Sequence, residues 1–237
     1  MNEHNPYAAT AAAAYAAADE RATFLRKVYG LVFLGVLGFA ATLWAAANVP
    51  VVHDAAMAFG QLIYGSRFGV LVYIGVFVGG SWAVHAVAEM KPINAIAYAA
   101  WVVLLGFLVA PIVLIVSRLH GPDIISQASL LTAVTFGGLT ATVFYTGKDF
   151  SFLRGVLGLG CGLLLAVSLA GMLFGFTLGL WGSVAAVALF AGYILYDTGN
   201  VMQRLPVTMA MTGAILLFTD VVLLFKNILL LLARNRD

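Results

Sequence analysis

Charged residues are scarce in this sequence. Only 9% of its 237 residues are Asp, Glu, Lys or Arg, whereas 63% are hydrophobic and the mean hydropathy is +1.03. Soluble domains usually carry about 25% charged residues. The composition therefore excludes an ordinary water-soluble domain and predicts an integral membrane protein whose main partner is the lipid bilayer. A net charge of +2 is too small for a polyanion-binding surface, so no nucleic-acid binding is expected.

Cysteine is almost absent as well. The one cysteine, Cys161, excludes an intramolecular disulfide framework. It lies in the apolar run GLGCGLLL, where a packed and inert thiol is expected. The nearby glycines of GVLGLGCG have no preceding strand, so they favour close helix packing over a dinucleotide loop. The sequence has no HExxH motif and no serine or cysteine in the context of a nucleophile, so neither an enzyme nor a cofactor is predicted.

Seven apolar segments follow one another along the chain, and each is long enough to cross a bilayer as a helix. They cover about 28–48, 68–88, 93–117, 124–146, 152–175, 177–198 and 208–233. The predicted fold class is all-α, with an Ala-rich cytoplasmic tail at 1–26 and a seven-helix membrane domain at 27–237. The first apolar run, at about 20 residues, exceeds the h-region of a signal peptide, so an uncleaved first transmembrane helix is expected.

Basic residues are distributed unevenly between the two ends of these segments. With the N-terminus inside, the inner side receives Arg21, Arg26, Lys27, Lys91, Lys148, Arg154 and Arg204, and the outer side receives Arg67, Arg118, Arg234 and Arg236. Because inner loops carry the excess of Lys and Arg, the N-terminus is predicted to be cytoplasmic. Seven crossings would place the C-terminus outside. The basic tail LLARNRD leaves a re-entrant or half-inserted last segment as an alternative.

Two acids lie inside the last two apolar segments: Asp197 in YILYDTGN and Asp220 in LLFTDVVLLFKN. An acid at the bilayer centre costs roughly 2.5–3.5 kcal/mol and normally faces protein or water. In an antiparallel hairpin with its turn near 208–209, the two acids are level, about 17 Å from the turn. A turn at Gln203 and Arg204 would instead require a tilt between the helices.

Two facing carboxylates resist double ionisation and can share one proton. Without that proton, the pair Asp197 and Asp220 would offer hard oxygen ligands to Ca²⁺, although two carboxylates are too few for tight binding. The pair therefore predicts a proton-sensitive gate that calcium contacts transiently. Two alternatives remain: an intramembrane aspartyl protease, whose usual GxGD motif is absent here, and acids that only lock the helices together.

Other polar residues lie near this pair in sequence. Lys226 is about 120° round the helix from Asp220, whereas Asn227 shares the Asp220 face. Lys226 is therefore expected to pair with another helix or to extend towards the interface. His85 and Glu89 share a face at the inner end of the second segment. An ion pair with Lys91 or with lipid headgroups is favoured there over a metal site.

Several stretches together resemble the bacterial branch of the Bax inhibitor-1 family, also called the transmembrane BAX inhibitor motif family. They are KDFSFLRGVLGLG, YILYDTGNVMQRL and AMTGAILLFTDVVLLFKNILLLL, supported by ERATFLRKVYGLVFLGV and GFLVAPI, and the resemblance covers residues ~20–235. It implies a seven-helix fold in which the last helix is central and six surround it. It also implies a pH-sensitive calcium leak controlled by Asp197 and Asp220, in the bacterial inner membrane, with calcium as the permeant ion.

The resemblance also implies an arginine latch near the cytoplasmic end of the second helix. The corresponding position falls near Ala88, and no arginine stands there. His85, Lys91 and Lys226 are the alternatives for that role, and Asn227 matches a polar position that follows the second aspartate. Some bacterial relatives are regulators of a membrane-bound AAA protease. A non-conducting regulator that binds such a protease through its N-terminal tail is therefore the alternative function.

Overall fold

The computed structural model describes residues 12–66, 68–176 and 178–236. Within these ranges the chain forms eight α-helices, which follow a short 3-10 turn at Ala13–Tyr15. The helices are α1 (Ala18–Asn48), α2 (Pro50–Tyr64), α3 (Gly69–Ala86), α4 (Ile93–His120), α5 (Asp123–Thr146), α6 (Leu153–Phe174), α7 (Gly179–Gln203) and α8 (Ala210–Arg234). All except α2 are long and apolar enough to cross a membrane. The prediction of an all-α integral membrane protein with seven spans is confirmed.

The helix ends gather on two sides of the bundle. We call the side on which α1 begins the near side and the other the far side. On the near side, Glu89 accepts a hydrogen bond from Thr212 at 2.7 Å, so the α3–α4 connection meets the start of α8. On the far side, Arg236 donates to the His120 carbonyl at 3.1 Å, so the end of α8 meets the α4–α5 connection. The helices therefore cross the bundle in the order that the seven apolar segments predict.

The additional helix, α2, was not predicted. Pro50 lies between the first two predicted segments and is the first residue of α2. The N–H that proline lacks would have no partner within the helix at this position. From the far side, α2 runs back along α4. The Tyr64 hydroxyl donates to the Leu108 carbonyl at 2.7 Å. A Cβ on Gly60 would lie 2.6 Å from the ring of Pro111, so glycine allows the two helices to touch.

The core is built around α8. This helix packs against α1, α3, α4, α5 and α7, and most of its side chains are buried. α4 is buried to a similar extent, whereas α6 packs on α7 and α3 and exposes most of its surface. The central position of the last helix therefore agrees with the resemblance, but the surrounding ring is uneven because α6 is held mainly by α7.

The boundary between tail and membrane domain differs from the prediction. α1 begins at Ala18, well before the apolar run expected to start at 28. Ala13 is fully buried, and its N–H donates to the Leu205 carbonyl at 2.9 Å. The segment immediately before α1 is therefore docked against the α7–α8 connection rather than hanging free. The remainder of the predicted tail, 1–11, lies outside the described residues.

The basic C-terminus is anchored on the far side. Arg234 donates to the Gly179 carbonyl and to the Ser183 hydroxyl, the latter at 2.7 Å. Arg236 donates to the Gln127 side chain at 2.9 Å. Because α8 runs unbroken from the near side to the far side, the alternative of a re-entrant last segment is wrong. The basic residues bind oxygen atoms at the far ends of α5 and α7 instead of returning to the near side.

Candidate functional site

The two aspartates are positioned by the hairpin of α7 and α8. α7 ends at Gln203 and α8 begins at Ala210, so the connection falls between the two turn positions considered from sequence. Two N–H groups, those of Arg204 and Leu205, donate to the Asn200 carbonyl at 2.8 and 2.9 Å and close the end of α7. The Met209 N–H donates to the Pro206 carbonyl at 2.9 Å. This compact connection fixes how the two helices are aligned along their length.

The structure brings the side chains of Asp197 and Asp220 together. Each is 6% exposed, and the two carboxyl groups face each other closely enough to interact. Oδ2 of Asp220 is buried and has no hydrogen-bond partner among the described residues. An ionised carboxylate only accepts hydrogen bonds, so a bond between two carboxyl groups requires a proton on one of them. The arrangement can hold one proton between the two acids.

No cation neutralises this pair within the described residues. Neither aspartate is ion-paired to a lysine, arginine or histidine there. The described residues also contain no group of three His, Cys, Asp or Glu side chains able to hold a metal ion. Tyr193, one helical turn before Asp197, is the other titratable group that faces both acids. The pair therefore has no counter-ion among the described residues.

Lys226 is directed away from the acids. Its Nζ donates to the Tyr73 hydroxyl on α3 at 3.2 Å and lies 4.9 Å from the centre of the Tyr73 ring. Of the two placements expected for Lys226, the contact with another helix is the one observed, and the residue of α3 that it contacts could not be named from sequence. Asn227 is buried, and its side-chain amide donates to the carbonyl of Leu223 on its own helix at 2.8 Å.

The other residues proposed as a latch lie on the near side, apart from the pair. The His85 ring contacts the Ser81 carbonyl on its own helix at 2.8 Å, and Lys91 is exposed in the α3–α4 connection. Glu89 accepts a hydrogen bond from Thr212, and the described residues include no ion pair between Glu89 and Lys91, so the alternative with lipid headgroups stays a prediction. Ala88 is buried, and its carbonyl accepts a hydrogen bond from Asn94 at 3.0 Å. The structure gives none of these side chains a contact with either aspartate.

An exposed clamp holds the near end of α7. Arg204 binds Asp149 at 2.8 Å, and the Gln203 amide donates to the carbonyls of Gly147 and Lys148 at 3.0 and 3.2 Å. The Ser151 backbone N–H, followed by the Arg204 guanidinium, holds the pKa of Asp149 below its usual range. The clamp ties the α5–α6 connection to the helix that carries Asp197.

Sequence reasoning missed a set of hydroxyls beside the pair. The hydroxyls of Thr140 and Thr198 face that of Tyr29, and the three oxygens are buried without a well-formed hydrogen bond to any described residue. Thr198 follows Asp197 directly and was visible in sequence. Tyr29 and Thr140 come from α1 and α5, so only packing brings them to the same place.

Comparison with known proteins gives the chain a family. The family model described as inhibitor of apoptosis-promoting Bax1 matches residues 21–237. A BI1-like protein of Arabidopsis thaliana is 31% identical over 208 residues, which cover 84% of this chain and 75% of that protein. An uncharacterised protein of Campylobacter jejuni is 30% identical over 204 residues, covering 85% of this chain and 84% of that protein.

The protein named LIFEGUARD 2 of Arabidopsis thaliana is 28% identical over 207 residues, covering 85% of this chain and 83% of that protein. The matches run through nearly the whole membrane domain, including the hairpin that carries the two aspartates. The chain is thus a multi-pass membrane protein that belongs to the Bax inhibitor-1 family.

Proposed function

We propose that the protein is a pH-sensitive calcium leak in which Asp197 and Asp220 form the gate. The observation that carries this proposal is a buried pair of facing carboxyl groups with no cation among the described residues to neutralise it. A pair of this kind is stable only while it holds a proton. Its state therefore depends on the pH of whichever solution can reach it.

Loss of the shared proton would place two negative charges in contact. Two like charges 4 Å apart repel by about 4 kcal/mol at an effective dielectric constant of 20. This repulsion acts to push α7 and α8 apart at the level of the pair. The closed state is thus the protonated one, and a rise in pH is expected to favour opening.

The separated carboxylates would then face a passing cation with hard oxygen ligands. Calcium takes six to eight oxygen ligands, and two carboxylates supply at most about four. The pair can therefore replace part of the hydration shell without trapping the ion. Weak, partial coordination of this kind suits passage better than storage.

The contact between Lys226 and Tyr73 supports the same proposal. An ammonium in contact with Asp220 would neutralise the ionised acid and would repel a divalent cation. Because the Tyr73 ring and hydroxyl hold the Lys226 ammonium on the α3 side of α8, the pair retains its dependence on protons. Cation–π contacts of this type contribute about 0.5–2 kcal/mol.

Calcium flux into proteoliposomes at a series of pH values tests the proposal. Wild-type flux should rise with pH. Asp197→Asn and Asp220→Asn should remove that pH response because neither pair can become doubly charged. The matched control is Asp54→Asn, which changes an exposed acid on α2 and should leave the response intact. A pH response that survives in both pair variants would contradict the proposed gate.

A second candidate function is that of a non-conducting regulator of a membrane-bound AAA protease. One observation favours it: the segment before α1 is docked on the α7–α8 connection through Ala13 and Leu205, so a protein bound to the tail could act on the hairpin. Removal of residues 1–11 should then abolish co-purification with the protease while Ala13 remains in place. Undiminished co-purification would exclude the tail as the binding segment.

A further inference from the structure

Three buried hydroxyl groups meet inside the bundle, one each from Tyr29 of α1, Thr140 of α5 and Thr198 of α7. The Thr140 and Thr198 side chains both face the Tyr29 hydroxyl. None of the three oxygens has a hydrogen-bond partner among the described residues, and Thr198 is fully buried. A buried hydroxyl that is left without a bond costs about 1–3 kcal/mol. One partner shared by all three groups would remove that cost at each of them.

The two threonines differ from other threonines within the helices. A helical threonine can donate to the carbonyl four residues earlier on its own helix. Five threonines do so at 2.7–2.9 Å, namely Thr42, Thr132, Thr142, Thr146 and Thr219. Thr140 and Thr198 make no such bond and face Tyr29 instead. Their hydroxyls therefore leave the carbonyl of their own helix unused and are directed into the space between the helices.

Tyr29 differs from other tyrosines in the same way. The Tyr98 hydroxyl donates to the Leu31 carbonyl on a neighbouring helix at 2.9 Å. The Tyr64 hydroxyl donates to the Leu108 carbonyl at 2.7 Å. Tyr29 packs instead against a cluster of apolar side chains, which offer no acceptor. The only polar side chains that face its hydroxyl are the two threonines.

The hydrogen-bonding capacity of the three groups matches that of one water molecule. Each hydroxyl supplies one donor and two acceptor lone pairs. A water molecule has two donors, so it can donate to two of the hydroxyls and accept from the third. Buried water molecules typically make about three hydrogen bonds, to polar groups that have no other partner. The three hydroxyls provide this number.

A metal ion fits the three hydroxyls less well. Neutral hydroxyls do not offset the charge of a cation, and calcium takes six to eight oxygen ligands. The described residues contain no group of three His, Cys, Asp or Glu side chains that could complete such a site. Because both threonines face the same hydroxyl, the ligand must also be small. These requirements favour a neutral molecule of one heavy atom.

The three hydroxyls lie close to the level of the acid pair. Thr140 and Thr198 are each about 8–9 Å from the near ends of α5 and α7, which pack against each other. Thr198 follows Asp197 directly and is about 100° round the helix from it. One side of α7 therefore meets the second acid, and another side at the same depth meets the hydroxyls.

We propose that Tyr29, Thr140 and Thr198 form a binding site for one internal water molecule, which joins α1, α5 and α7 beside the acid pair. The water gives each hydroxyl a partner and connects three helices through one molecule. A contact through such a water is nearly as favourable in enthalpy as a direct hydrogen bond. The inference rests on the three hydroxyls alone and does not depend on calcium conduction.

X-ray radiolytic labelling of the full-length protein in nanodiscs tests the site. Irradiation converts water into hydroxyl radicals, which react with the side chains that the water touches, and mass spectrometry gives the rate at each residue. Tyr29 should be labelled several-fold faster than Tyr98, a buried tyrosine whose hydroxyl already donates to a carbonyl. A Tyr29 rate no higher than that of Tyr98 would overturn the proposal.

Variants separate a bound water from general access of solvent to Tyr29. Thr140→Val and Thr198→Val should each lower the Tyr29 rate. The double variant should lower it to the rate of Tyr98, because one hydroxyl alone does not retain an internal water. Thr132→Val is the matched control, since Thr132 is buried on α5 and donates to its own helix, and it should leave the Tyr29 rate unchanged. A wild-type Tyr29 rate in the double variant, or in both single variants if the double variant fails to fold, would contradict the site.

Discussion

Two ionisable residues of α8 are accommodated in opposite ways. Asp220 is buried and faces another acid, whereas the half-buried Lys226 contacts the ring and hydroxyl of Tyr73. The short aspartate cannot extend to a distant partner. The long lysine stem can reach a partner on a neighbouring helix. Side-chain length and helical phase therefore decide which partner each of the two groups meets.

The largest effect should come from breaking the acid pair on one side only. Asp220→Leu leaves Asp197 buried without its partner, which is expected to lower the free energy of unfolding by about 1–3 kcal/mol. The double variant Asp197→Leu/Asp220→Leu removes both polar groups and should recover part of that loss. Thermal unfolding in detergent micelles measures both. A double variant less stable than either single variant would show that the pair contributes net stability to the fold. Its role would then exceed that of giving each buried acid a partner.

The lysine should tolerate replacement better. Lys226→Met keeps a flexible apolar stem and removes the contact with Tyr73, so the expected loss is about 0.5–1 kcal/mol. Tyr73→Phe keeps the ring and removes the hydroxyl, so its effect should be smaller still. Neither variant should change the pH at which calcium flux responds. A shifted pH response in Lys226→Met would mean that the ammonium does act on the acid pair.

The smallest effect is expected at Asp149, an acid that does have a cation partner. Arg204→Gln removes that partner, and the pKa of Asp149 should rise towards its ordinary value while the Ser151 contact remains. Because the folded pKa is lowered, the stability that this acid contributes is present above its unfolded pKa. It is lost as pH falls through the folded value. NMR titration of the Asp149 carboxyl measures the change, and an unaltered pKa would assign the whole effect to Ser151.

Much of the architecture could be predicted because lipid imposes a simple rule on helix length. Apolar runs of about 20 residues predicted the seven spans. The angular position of each residue around the helix predicted that Lys226 and Asp220 lie on different faces. The start of α1 was missed because residues 18–27, ADERATFLRK, carry five charged side chains and therefore do not continue the apolar run that marked the helix. α2 was missed because its 15 residues are too few to span a bilayer and Pro50 can either end or begin a helix.

The parts of the site that escaped prediction depend on contacts between distant segments. Tyr73 lies 153 residues before Lys226, and Tyr29 reaches Thr198 only because α1 and α7 pack on the same side of α8. Hydropathy and phase describe each helix separately. They contain no information on which residue of one helix lies opposite a given residue of a distant helix. Partners within a hairpin can therefore be predicted from sequence, whereas partners across the bundle cannot.

The position of Asp220 in the last helix has a consequence for biosynthesis. A chain is made from its N-terminus, so α1 to α7 have been translated before α8 leaves the ribosome. Asp197 is therefore already available when Asp220 enters the membrane, and the second acid can move directly into a protein-lined position without exposure to lipid. The same acid in the first helix would enter the membrane before the helix that carries its partner had been translated.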